Sequence, residues 1–225
     1  MKNGKKRNWY VYNWYKLVGY YFIGIAFFML FWGTEHLSDI RCILVASLMA
    51  LLAHQFEEYV FPAGGPVVIN KGNFNERIRY RNYPGNMLSS MIVNNSAYFV
   101  YFLAVLFPQL LWLGIGTMFF NLFQLIGHGI KMNRAMGTWY NPGLGTAVFL
   151  LVPVSIYYFY FIVSRGLVSG ADWAIGAPAF VIAVGITTIL PVQLLKDEDS
   201  PYVVPEHQIT CCDKVQEFAR LKSRR

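Results

Sequence analysis

The stretch IRCILVASLMALLAHQFEEYVF, residues 40–61, decides the fold. A helix needs about 20 mostly apolar residues to cross roughly 30 Å of hydrocarbon. This window supplies them as a block rather than as the stripe of a soluble amphipathic helix. Its end breaks the pattern. His54, Glu57 and Glu58 sit inside the apolar run at i, i+3 and i+4, a spacing that puts all three on one helical face.

Outward from this stretch, five more windows have the same character, near residues 17–33, 86–107, 109–132, 143–166 and 172–195. The expectation is an all-α, polytopic transmembrane bundle of about six spans. It forms one transmembrane domain over residues 1–195, with a long loop at 61–86 and a basic tail at 196–225. Composition agrees. The chain has 225 residues, 56% hydrophobic and 14% charged, with a mean hydropathy of +0.38, where soluble domains carry about 25% charged residues. The start is basic, then aromatic, then apolar, with no small-x-small cleavage site after the apolar run, so we read an uncleaved first span.

Charge sets the orientation. Under six spans, one side receives Lys2, Lys5, Lys6, Arg7 and Lys16, then Lys71, Arg77, Arg79 and Arg81 in the long loop. It also receives Lys131 and Arg134, and in the tail Lys196, Lys214, Arg220, Lys222, Arg224 and Arg225. Of the 19 Lys and Arg residues, only Arg41 and Arg165 fall on the other side. The positive-inside rule then puts both termini and the long loops in the cytoplasm. The net charge of +7 is therefore topological, and no nucleic-acid partner is expected. The expected location is the cell membrane of a prokaryote.

Local signals fit. Pro108 marks a tight turn between the third and fourth spans, and Asn141 with Pro142 has the chemistry to start the fifth helix. Trp9, Tyr10, Trp14, Tyr15, Trp139 and Tyr140 form an interfacial belt. Residues 209–221 read either as a basic amphipathic surface helix using Val215, Phe218 and Leu221, or as a solvated tail. Cys42, Cys211 and Cys212 make no disulfide framework, and His207 with the last two offers too few ligands for a metal.

Ionisable groups inside a span cost roughly 2.5–3.5 kcal/mol each at mid-membrane, so they are kept where they pair, bind or line water. Counting along the helices, the fourth span brings Asn121, Gln124 and His128 toward the level of His54, Glu57 and Glu58, and the third brings Asn94 and Asn95. Two histidines and two carboxylates suit Zn²⁺, Mn²⁺ or Fe²⁺. One assignment takes His54, Glu58 and His128 as ligands and Glu57 as general base; the other exchanges the glutamates. Asn94, Asn95, Asn121, Gln124 and Tyr140 would orient ligands or substrate. Each residue also has a plainer reading. The glutamates mark where a helix meets water, His128 is a packed or interfacial histidine, and the amides are interhelical glue worth about 1 kcal/mol each. His36, beside Glu35 and Asp39, reads as a solvated loop histidine. The loop with Arg77, Arg79 and Arg81 either covers the site, binds an anionic head group, or only sets topology.

HQFEE at 54–58 resembles the signature of the HXXEE-motif family of small integral membrane proteins. NLFQLIGHGI at 121–130 and YNPGLGTA at 140–147 resemble the second half of its pattern, over roughly residues 40–152. The resemblance implies a metal held by His54, Glu57 and Glu58, with His128 matched from the second motif, and no established activity. Three functions follow from residues and resemblance together. The first is a metal-dependent membrane enzyme, hydrolytic or redox, acting on a lipid-like or membrane-soluble substrate. Four histidines are too few for the eight-histidine desaturase class. The second is a proton- or cation-coupled transporter using the same carboxylates. The third is a non-catalytic assembly or sensor protein.

Overall fold

The computed structural model describes residues 8–221. Lys2, Lys5, Lys6, Arg7, Lys222, Arg224 and Arg225, used above for orientation, lie outside that range. Six helices are long and apolar enough to cross a membrane: α1 Trp14–His36, α2 Asp39–Tyr59, α3 Met87–Leu106, α4 Leu111–Met136, α5 Leu144–Ser164 and α6 Gly170–Leu195. A seventh, α7 at Glu206–Ala219, is too polar to cross. No strand occurs among the described residues, only one isolated bridge between Thr138 and Arg220.

The helix ends follow from local chemistry. Asn86 caps α3 by accepting from the Leu88 and Ser89 amides while the Ser89 hydroxyl accepts from the Asn86 amide. Ser169 and Asp172 make the same reciprocal cap on α6. Residues 107–110 turn tightly around Pro108, so α3 and α4 run antiparallel side by side. The Asn141 side chain does not cap α5 as expected. Gly143, at φ 105°, takes the position before the helix, and the Asn141 side chain turns toward α4.

Helix α2 is the most enclosed span, packing on α1, α3, α4 and α5, while α1 is the least enclosed and turns Tyr20, Phe27 and Phe31 outward. Enclosure on several sides makes polar side chains tolerable on α2, because neighbours satisfy them.

One end of the bundle gathers the long loop, the α4–α5 turn and α7. Tyr12 Oη donates to Pro201 O at 3.4 Å, so both ends of the described chain meet there. Gln208 on α7 donates to Tyr59 O at 2.8 Å and accepts from the Gly64 amide at 2.7 Å. At the other end of α7, Trp139 N donates to Ala219 O at 3.0 Å and Leu221 N to Gly137 O at 2.9 Å. The face that α7 buries is Gln208, Ile209, Cys212 and Ala219, against protein. Phe218 and Leu221, two of the three side chains expected to seat the tail on a membrane, are exposed. The arginine cluster is engaged by protein as well. Arg79 pairs with Glu198, Arg81 with Glu206 at 2.9 Å, and Arg77 Nη2 donates to Ala135 O at 2.6 Å.

Candidate metal centre

The last two turns of α2 place His54, Glu57 and Glu58 on a buried face. Opposite them, a π-helical stretch of α4, Ile126–Met132, carries His128; such wide turns are frequent at functional sites. His54 is 1% exposed, His128 2% and Glu58 6%. The two imidazole rings stand at right angles with centroids 5.0 Å apart. Glu58 Oε1 lies 3.3 Å from His128 Nε2 and 3.9 Å from His54 Nε2. One ligand atom from each of the three lies within 4.8 Å of the other two.

The hydrogen-bond network fixes which nitrogen of each ring faces inward. The Asn141 amide donates to His128 O at 2.8 Å and to Asn133 Oδ1 at 2.7 Å. Its Oδ1 is therefore the atom 2.6 Å from His128 Nδ1 and accepts that ring's proton. Thr146 has one hydroxyl proton, given to Glu57 Oε2 at 2.5 Å. Its oxygen must then accept from His54 Nδ1 at 3.1 Å. In their neutral forms both rings then keep Nε2 as a lone pair, and both Nε2 atoms face the Glu58 carboxylate. His54 Nε2 is one of two buried side-chain polar atoms without a partner among the described residues, the other being Trp14 Nε1. Three buried electron-pair donors facing one another repel unless a proton or a cation sits among them. Ligand atoms about 3.4 Å apart are what metal–ligand bonds of about 2.0–2.1 Å in tetrahedral geometry demand, and the two Glu58 distances bracket that value. The donor set fits a divalent ion.

Glu57 is engaged elsewhere. Its Oε1 accepts from Tyr140 Oη at 2.7 Å and the Gly145 amide at 3.0 Å, and its Oε2 from the Thr146 amide at 2.6 Å and the Thr146 hydroxyl. Four donors fill about all the lone-pair sites of one carboxylate. Burial and the adjacent Glu57 carboxylate hold the Tyr140 phenol above its usual range. Gly143 closes the same loop over the ring of His128; a Cβ there would lie 2.4 Å from His128 Cε1, and the positive φ already disfavours any other residue.

The remaining expected residues divide. Gln124 and Asn94 line the cavity beside the cluster, and Asn94 Nδ2 donates to Tyr59 Oη at 2.9 Å. Asn95 instead donates to Tyr10 Oη at 3.1 Å, tying the N-terminal segment to α3. Asn121 sits in a separate node, accepting from Tyr101 Oη at 2.5 Å and donating to Ser47 Oγ at 3.0 Å and Ser155 Oγ at 3.2 Å. That node joins four helices, the interhelical role its plainer reading gave it. Sequence reasoning missed the contributions of Asn141, Gly145 and Thr146. The signal was present in YNPGLGTA, a Gly-rich turn with polar side chains opening a span, but spacing alone does not say which way a loop side chain turns.

A family model described as "Protein of unknown function with HXXEE motif" matches residues 45–158, which takes in most of α2, all of α3 and α4, and most of α5. No curated protein and no solved structure matches the chain.

Proposed function

The chain belongs to the HXXEE-motif family, whose function is unknown, and from that premise we propose that it is a membrane-embedded enzyme dependent on a divalent metal ion held by His54, Glu58 and His128. One observation carries the reading: two Nδ1-anchored imidazoles aim their Nε2 atoms at one buried carboxylate. Two histidines and one carboxylate are a ligand set used by hydrolytic zinc sites and by non-haem iron oxygenases alike. Such an ion polarises a substrate oxygen or activates water near neutral pH. Zinc, manganese and iron all remain within the proposal.

In this reading Glu58 is the ligand and Glu57 the anchor. Glu57 has its acceptor sites filled, so it holds the 143–146 turn and, through Thr146, the His54 ring, rather than acting as the base. Asn94 and Gln124 face the substrate. The positive-inside distribution of Lys and Arg supports placing both termini, the loop 61–86, the tail 196–225 and the centre on the cytoplasmic side of a prokaryotic cell membrane. The substrate is membrane-soluble, since the cluster lies on spanning helices.

The test is metal analysis of the detergent-purified protein. We expect about one ion per chain, lost in His54→Ala and in His128→Ala. A substoichiometric content that neither substitution changes overturns the enzyme reading. It would leave a proton shared between Glu58 and His128, as a coupled transporter would use, or a purely structural cluster. Proton or cation flux in liposomes then distinguishes those two.

A further inference from the structure

A cavity of about 370 Å³ opens from the His54–Glu58–His128 cluster. Its inner end is closed by Leu51, Ala97, Phe120 and Val184, all apolar and buried. Its rim carries Asn73 and the exposed Lys131. Along one side its lining includes Phe123, Ile126 and Ile189, which are 39%, 54% and 55% exposed on the outer surface of the bundle. A wall whose side chains reach both the cavity and the outside of a spanning helix is a side opening toward acyl chains.

The packing of α4 and α6 explains that opening. Their first parts lie close together, where a Cβ on Gly176 would meet Ile115 Cγ2 at 2.7 Å and one on Gly116 would stand 3.4 Å from Gly176 O. Then α6 passes Pro178, a π-helical turn at Gly185–Ile189 and Pro191, features that redirect a helix. Its last part leans on α3 instead of α4. The two helices diverge toward the end of the bundle that holds the cluster, and the cavity fills the wedge between them.

We propose that this wedge takes one acyl chain of a single-chain amphiphile with an anionic head, admitted sideways between α4 and α6, the head lying between the cluster and Lys131. The volume is at the lower end of the 300–1,000 Å³ of small-molecule sites, room for one chain rather than two. The apolar inner end takes the chain. A divalent ion with one carboxylate leaves the centre net positive, so both it and Lys131 favour a negative head. The destination of the head rests on the metal reading; the chain pocket and its side opening do not.

The probe is a photoreactive fatty acid on purified protein in detergent, with a photoreactive fatty alcohol of equal length as the neutral arm. Crosslinks are mapped and metal is counted on the same samples. A Cβ at Gly127 meets only Met132 Cε at 4.0 Å, so Gly127→Leu enters the cavity without a backbone clash. Thr188→Trp fills it from α6. We expect the acid to label residues 123–132 and 184–193, saturably and in competition with dodecanoate. The label should be lost in both variants while the metal content stays. Lys131→Gln should weaken acid labelling about five-fold and leave the alcohol unchanged. Unsaturable labelling, label spread to the α1 face at Tyr20 and Phe27, or labelling unchanged by both substitutions overturns the pocket. Equal labelling by the alcohol overturns the anionic head. Wild-type protein that labels as expected but carries no metal keeps the pocket and removes the metal reading instead.

Discussion

Thr146 stands between Glu57 and His54, giving its hydroxyl proton to the carboxylate at 2.5 Å and accepting the Nδ1 proton of the imidazole at 3.1 Å. A residue that opens α5 thereby joins two side chains of α2 and sets the tautomer of one of them. Groups that orient a ligand's imidazole from behind typically change metal affinity 10–100-fold when removed.

Thr146→Val keeps the shape of the side chain and deletes both bonds. We expect metal affinity to fall about 10–100-fold, measured by competition with a chromogenic chelator, and Thr146→Ser to restore most of it. A valine variant that binds metal as tightly as wild type would show that the His54 ring is held by packing alone.

Glu57→Gln tests the anchor role. The amide nitrogen carries protons and would face a backbone N–H or a hydroxyl donor now accepted by carboxylate oxygen. Losing hydrogen bonds to a charged, 8%-exposed group should cost on the order of 2–3 kcal/mol, read as a lowered thermal midpoint in detergent. Metal stoichiometry should stay near one. Loss of the ion without loss of stability would make Glu57 a ligand.

Asn141→Ala removes the acceptor behind His128 together with two donated bonds. Metal affinity should drop by a factor similar to that for Thr146→Val. Because the two rings share the Glu58 carboxylate, the double variant should depart from additive free-energy losses. Strict additivity in a double-mutant cycle would mean that the two rings are held independently.

Gln208→Ala probes the dock of α7. Gln208 satisfies the Tyr59 carbonyl and the Gly64 amide, both in the turn that directly follows Glu58. Burial pushes the Cys212 thiol on the same face up to about 12, so almost none is thiolate at neutral pH and it should resist maleimide while Cys211 reacts. Unmasking by Gln208→Ala should speed Cys212 labelling at pH 7.5. Equal labelling of Cys212 in both proteins would show that α7 undocks freely.

The sequence determined the solvent and the helices. Lipid allows only structures that satisfy their own backbone, so six apolar blocks with charged breaks had to become six helices, and the windows near 40–61 and 86–107 fall almost on Asp39–Tyr59 and Met87–Leu106. It also put His54, Glu57 and Glu58 on one face, because helical geometry fixes what lies at i+3 and i+4.

Only the tertiary structure decided what those side chains meet. Asn94 and Asn95 are neighbours in sequence, yet one lines the cavity and the other turns to Tyr10. Asn121, two turns before His128, belongs to a different polar node. Glu57 and Glu58 are chemically identical in sequence, and the turn after Gly143 supplies three donors to one, with Tyr140 a fourth, while the π-helical stretch of α4 aims His128 at the other. Rotation about a helix axis by one residue is about 100°, as 3.6 residues per turn requires. Periodicity fixes that rotation within a helix, but packing between helices and the path of a glycine-rich loop fix what waits on each face.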